Sequence, residues 1–592
     1  MKYLSLFALC LLMAFQITTQ GNWRDKISKK VIANIETKGE SEFFVVFVQQ
    51  ANLTPAKKLR GKDAKSEYVF EQLRKTARQT QARAIQTIRE FQREAHPYYL
   101  LNAIYTKGNL DLVEALSKLP EVRAIYDNPS VKLSQPEPNR TSFSQRDNVT
   151  WGIGKINADD LWDLGIRGEG IVVAGADTGV KWDVAPIKEQ YRGYHQFDTM
   201  STNHDYNWHD AIHSISPLHN DSIVLPSNNP CGLNSLVPCD DNNHGTHTVG
   251  TMTGSGTEEV KIGVAPESKW IACRNMERGW GSPASYIECF EWFLAPTDLN
   301  NENPDPSKSP HVINNSWSCP EIEGCNSDNW WMIETAVNNL KAAGIVVVVS
   351  AGNLGPNCNT ISTPAAIFEG SFTVGAMSER DSIANFSGRG TVLADSSMRM
   401  KPNVVAPGVQ VLSCIRDGSF KAWNGTSMAG PHVAGAVALL LSAYPQLIGE
   451  VDLIEDILEE TAVPMEADTI CDGYAANVYP NPIVGYGRID VLAAYERAGE
   501  IVLQLDNSRS KQIKVYPNPT SNELTFEGFP LQKDIKWQLF NTNGRLVMEG
   551  ELQASPKQNI KLQYLPNGIY IYRIKGRNFV ETGKVLKVSM IE

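Results

Sequence analysis

The stretch WNGTSMAGPHVAGAVALLLSAYP, Trp423 to Pro445, sets Ser427 between small residues at the mouth of an apolar helix. A serine there has two uses. It caps the helix by accepting a hydrogen bond from a first-turn N–H, or it acts as a nucleophile. A hydroxyl becomes a good nucleophile only when a neighbouring base takes its proton. That base needs a third group to fix its tautomer and stabilise its cation.

Two other stretches carry the residue types required. VVAGADTGV places Asp177 just past an apolar run, and DDNNHGTHTVGTM places His244 at the head of a Gly/Thr-rich helix. Taken singly, Asp-Thr-Gly is a turn, the histidine is a satisfied surface or core residue, and the serine is a cap. The three together, in the order Asp…His…Ser, are far more specific. The runs GIVVAGADTG, KWIACRN, HVINNSWS, GIVVVVSAGN and SFTVGAM are short and nearly continuously apolar. Helices predicted over 285–294 and 329–343 separate some of them. Strands buried on both faces and alternating with helices predict an α/β block with a parallel sheet over 151–499. Catalytic groups in such sheets gather at the carboxyl ends of the strands.

The flanks read differently. Residues 1–21 have a lysine, a short apolar core and small polar residues, which reads as a secretory signal peptide. Over 41–133 the pattern is strand, long charged amphipathic helix (63–95, apolar at Val69, Leu73, Ile85 and Ile88), strand, helix, strand, a small α+β domain. Residues 134–150, rich in Pro, Ser and Asn at first, read as an exposed linker. From 512 to 592, alternating apolar and polar residues between Asn-Gly and Pro-Asn turns predict an all-β sandwich.

Residues 22–140 hold 21 Lys/Arg and 14 Asp/Glu, a net of +7, whereas 141–592 carry −19. A basic arm suits an acidic partner on the same chain; no nucleic-acid reader motif or aromatic–basic platform appears. Nine cysteines follow the leader, an odd number that leaves at least one thiol over, and Cys231/Cys239 and Cys319/Cys325 are spaced to close loops. His209 and His213 have i,i+4 spacing but lack the Glu of a zinc-protease helix, so they read as part of a polar surface insert. No metal ligand set is assigned.

The motifs DTG, HGTHTVG and GTSMAGPHVAG, with GVAP (263–266), VINNSWS, SAGN and APG (406–408), resemble those of subtilisin-like serine peptidases over 151–499. The NHDYNWHDA insert and the KWIACRNM…ASYIECFEWFLAPTD stretch are most similar to the bacillopeptidase F branch. Asp…His…Ser is also the subtilisin chain order. The resemblance implies a secreted serine endopeptidase acting on proteins or peptides. Asp177 orients His244, His244 is general base and then acid, and Ser427 forms the acyl-enzyme. The side chain of Asn353 and the N–H of Ser427 hold the oxyanion. Ser316, Trp317 and Ser318 match the segment lining the primary substrate pocket, with Ser318 where glycine is usual. Leu354 stands where some relatives carry Glu, which implies a preference for uncharged, large apolar side chains. No cofactor is required. Structural calcium is known in the family, but no ligand loop is located here. Residues 41–133 resemble the family's inhibitory propeptide, with a maturation site in 134–150. The tail resembles a type A sorting domain of type IX secretion, which implies that machinery as a partner and export across an outer membrane. The alternative is a catalytically silent subtilisin fold used for surface binding or adhesion.

Overall fold

A computed structural model describes residues 22–128, 131–132, 137–138, 145–146, 148–195, 202–216, 229–318, 325–510, 513–528, 535–552, 557–576 and 580–589. The leader and most of the 134–150 linker lie outside the described residues. Two compact units are present, Met1–Tyr495 and Glu496–Glu592.

The larger unit is built on a seven-stranded parallel sheet. Its spatial order is Trp208–Asp210, Lys269–Arg274, Val172–Asp177, Val312–Asn315, Val346–Ser350, Phe372–Met377 and Val404–Pro407. The five central strands are those expected from their apolar runs. The two edge strands were not expected. Trp208–Asp210 is only three residues long, and Val404–Pro407 ends in a proline; both are too short to show a period. Helices His244–Thr253, Pro283–Leu294, Trp330–Ala342 and Thr426–Ala443 cover the faces. Thr426–Ala443 is buried over nearly its whole length, as Ala, Val and Leu on every side require. After Val172–Asp177 the chain fills one side of the sheet with Trp208–Asp210 and Lys269–Arg274. It then crosses to place Val312–Asn315 on the other side. Asp177 therefore ends a strand at the topological switch point, where such sheets open a crevice.

The same unit contains an N-terminal α+β layer, an antiparallel sheet in the order His96–Tyr98, Ala103–Gly108, Ser41–Phe47, Val122–Asp127. This layer starts before residue 41. A helix, Lys29–Lys38, capped by Ser28, buries Val31 and Ile35 in the same core as Phe43, Val45 and Ile125. The long helix expected over 63–95 is two helices, Lys62–Thr80 and Ala82–Glu90. They break at Gln81, whose buried side-chain amide donates to the carbonyl oxygens of Tyr98 and Ala103 and to Asn102.

The smaller unit has two antiparallel sheets, of three and four strands, around Leu524, Phe526, Trp537, Leu539, Ile574 and Val585. Gly568–Lys575 alternates buried and exposed residues, as its sequence alternates. Disulfides join Cys231–Cys239, Cys273–Cys289 and Cys358–Cys471, and Cys325 is also disulfide-bonded. The expected pairing partner Cys319 lies outside the described residues. Cys414 is a free, buried thiol, and burial pushes its pKa up to about 12.

Candidate active site

Asp177 and His244 come together through two short elements. Val172–Asp177 delivers the carboxylate at its end, and Asn243, in a left-handed conformation, turns the chain into the helix that His244 begins. The Nδ1–H of His244 donates to the Asp177 carboxylate, 2.8 Å from Oδ1 and 2.9 Å from Oδ2. Both side chains are buried, at 0% and 3% exposure. The carboxylate fixes the tautomer, so the neutral ring keeps its lone pair on Nε2. That nitrogen has no hydrogen-bond partner among the described residues.

Ser427 sits in the first turn of Thr426–Ala443, a helix packed against the one led by His244. Its side chain caps nothing. Ser427 Oγ donates to the carbonyl of Ser316 at 3.2 Å. In return, Ser316 Oγ donates to the Ser427 carbonyl at 3.1 Å. The reason lies four residues on: Pro431 has no N–H, so the Ser427 carbonyl lacks its helical donor. The bulge of unsatisfied backbone that a mid-helix proline creates is thus filled by Ser316. Asn314 Nδ2 donates to Ser316 Oγ at 2.9 Å and fixes that hydroxyl.

Asn353 is held by its oxygen. Oδ1 accepts from the N–H and the hydroxyl of Thr426, both at 2.9 Å. The amide nitrogen and the Ser427 N both lie near Gly425. A Cβ placed on Gly425 would lie 3.6 Å from Ser427 N and 3.8 Å from Asn353 Nδ2. Glycine at 425 leaves no side chain beside these two nitrogens, a feature sequence reasoning missed although the Asn-Gly-Thr-Ser run contained it.

A small cleft beside Ser427 is walled by Ser316–Ser318, Ser350, Gly352–Asn353 and Thr426. None of these carries a charge. The Trp317 side chain packs inward, its ring stacked on Tyr286 at 3.8 Å between centroids, so its indole serves the core. Leu354 turns away and is 59% exposed; it is not among the cleft's lining residues.

Two histidines beside the motifs are neutral. Burial lowers His247 to about 3 and His432 to about 4. His247 Nε2–H donates to the Lys421 carbonyl at 3.0 Å, and His432 Nδ1–H to the Met428 carbonyl at 2.8 Å. The ring of Trp423 stacks on His247 at 4.5 Å. His209 and His213 are not on a helix. Both donate to Glu288, at 2.8 and 2.9 Å. Burial pushes Glu288 up, but the two histidine bonds prevail and hold it at about 2. No cluster of three or more His, Cys, Asp or Glu side chains suited to a metal ion occurs among the described residues.

A carboxylate-oriented histidine and a serine at a helix head, placed at the carboxyl ends of a parallel sheet, define the class of α/β serine hydrolases. Residues 168–487 match the subtilase family, and residues 514–588 match the secretion system C-terminal sorting domain. Bacillopeptidase F of Bacillus subtilis (strain 168) is 33% identical over 503 residues, covering 80% of this chain and 32% of that protein. Subtilisin E of the same organism is 28% identical over 58% of this chain and 72% of its own length. Subtilisin of Bacillus pumilus is 30% identical over 53% of this chain and 92% of its own length. The chain belongs to the subtilase family. It spans about a third of the length of bacillopeptidase F.

Proposed function

We propose that the chain is a secreted serine endopeptidase that cleaves proteins through an acyl-enzyme and is made as a zymogen. The observation that carries the reading is the Asp177 carboxylate on Nδ1–H of buried His244, at 2.8 and 2.9 Å. Ser427 Oγ leaves the Ser316 carbonyl, gives its proton to His244 Nε2 and attacks the substrate carbonyl carbon. Asp177 stabilises the imidazolium. The new oxyanion receives the Ser427 N–H and Asn353 Nδ2. His244 then protonates the leaving amine, and a water deprotonated by the same nitrogen hydrolyses the ester. The cleft walled by Ser316–Ser318 offers no charged partner, so an uncharged side chain would precede the cut bond; burying Lys or Arg there is costly. A fluorophosphonate should label Ser427 of the processed protein, and Ser427→Ala should take no label and hydrolyse nothing. A folded, processed wild type that neither labels nor hydrolyses would favour the silent-fold alternative.

The zymogen reading assigns 41–133 as propeptide, extended upstream by Lys29–Lys38, and 134–150 as the maturation segment. Two short pairings support it. Val131–Lys132 lies antiparallel on Gly281–Trp280, and Glu137–Pro138 lies antiparallel on Asn424–Trp423, just before Ser427. Peptides bind enzymes in this way, by main-chain addition to an edge. The bond to be cut then falls after Lys132 and before Glu137. Across the rest of the contact, Lys62 donates to Ser309, Lys65 to the Gly449 carbonyl, and the Leu100 N–H to Glu291 at 2.8 Å. The C-terminal sorting domain would engage the type IX machinery. Deleting residues from Lys511 onward should strand the protein in the periplasm with hydrolysis intact.

A further inference from the structure

Beside the reacting atoms lies a buried carboxylate that the reaction does not use. Asp240 is 1% exposed. No cation forms an ion pair with its carboxylate among the described residues, whereas neighbouring Asp241 pairs with Arg274 at 2.5 Å. Five donors surround it instead. Oδ1 accepts from Thr178 Oγ1 at 3.0 Å and from the N–H groups of Asn242 and Asn243 at 2.9 Å. Oδ2 accepts from the N–H and the hydroxyl of Thr246, at 3.0 and 2.6 Å.

These donors come from both sides of the acid–base pair. Thr178 follows Asp177, and Asn243 and Thr246 bracket His244. Each threonine has one O–H, and Asp240 takes it. The hydroxyl oxygens are then free to accept crosswise. Thr178 Oγ1 accepts the Gly245 N–H at 3.0 Å, from the histidine loop, and Thr246 Oγ1 accepts the Lys181 N–H at 3.1 Å, from the aspartate loop. An acceptor-only group is the one chemistry that satisfies five donors and orients both hydroxyls.

We propose that Asp240 is a positioning residue for the reaction: its carboxylate locks the Asp177 loop to the His244 loop and so sets the Asp177–His244 hydrogen bond. The inference rests on His244 being the general base. Asparagine at 240 keeps the shape but accepts at one atom only, so its NH2 must face donors and one arm of the lock opens. A displacement near 1 Å in such a pair costs about 100-fold in rate.

The test compares processed Asp240→Asn, Thr178→Val and Thr178→Ser with wild type, using a peptide substrate and the proton resonance of His244 Nδ1–H. The expected result is a kcat about 100-fold lower in Asp240→Asn and about 10-fold lower in Thr178→Val. KM should stay within about twofold, the Nδ1 proton resonance should move, and Thr178→Ser should recover most of the loss. If Asp240→Asn does not fold, the Thr178→Val and Thr178→Ser pair decides. Unchanged kcat in Thr178→Val, or equal losses in Val and Ser, overturns the proposal. Fluorophosphonate labelling of wild-type Ser427 reports the general-base reading separately, and the Nδ1 resonance still reports the lock if that reading fails.

Discussion

The two halves of the site are held in different ways. The half proposed for acid–base work, Asp177 and His244, already has the Nδ1–H on the carboxylate and both side chains buried. The half proposed to supply the nucleophile and the oxyanion donors is engaged elsewhere. Ser427 Oγ points to the Ser316 carbonyl, and Asn353 spends its oxygen on Thr426. One half is fixed by side chains that lock two loops together. The other is fixed by backbone: a helix start, a proline that frees a carbonyl, and a glycine that leaves room. The costly part of the geometry, a buried carboxylate held on the histidine Nδ1–H, is already in place in the resting fold.

The largest break in this arrangement is loss of the nucleophile. Ser427→Ala should lower kcat by about 10⁶ and leave the fold intact, because Ser427 caps no N–H. The purified variant should stay joined to its N-terminal segment. Wild type should show a new N-terminus at residues 133–137. A mutant that cuts itself at the wild-type rate, or a wild-type N-terminus far from this interval, contradicts self-maturation. The next largest effect tests the proposed oxyanion donors. Asn353→Leu should cost about 10²–10³ in kcat with little change in KM. Gly425→Ala should act in the same direction by about tenfold, since its methyl enters the space shared by Ser427 N and Asn353 Nδ2. A rise in KM with kcat unchanged would move Gly425 from oxyanion space to ground-state binding.

How much of this was legible in the sequence follows the same divide. Apolar runs such as VVVVS announced the central strands because both faces are buried, while WHD at 208–210 and VVAP at 404–407 were too short or too broken to show a period. The Asp177, His244 and Ser427 motifs were readable because each joins a strand end or helix head to a reactive residue. The 63–95 segment kept one amphipathic pattern across Gln81, and only the three-dimensional need for a donor to Tyr98, Asn102 and Ala103 broke it in two. Trp317 and Leu354 followed from motif position, and position alone does not fix direction. Trp317 turns to Tyr286 because a large aromatic face is better buried in the core than left beside a small cleft.

The smallest expected effect compares the halves through their second histidines. His247 lies one turn after His244, and His432 lies just over a turn after Ser427; both are fully buried and neutral, lowered to about 3 and about 4 by burial. In an unfolded chain each would titrate near 6.5. The sign then follows: below pH about 6.5 the unfolded state binds protons that the folded state refuses, so stability is full above that pH and is lost as pH falls toward 4 and 3. Measured on Ser427→Ala, to avoid self-digestion, Tm should therefore fall steeply between pH 6.5 and 4. His247→Gln keeps a donor for the Lys421 carbonyl but cannot titrate, so it should reduce that slope, the rest coming from groups such as His311, which burial also lowers to about 4, while lowering Tm at pH 7 through the lost stack on Trp423. His432→Gln should remove a similar share. If one variant flattened the curve entirely and the other left it unchanged, acid sensitivity would belong to one half of the site alone, and the halves would differ in proton linkage as well as in geometry.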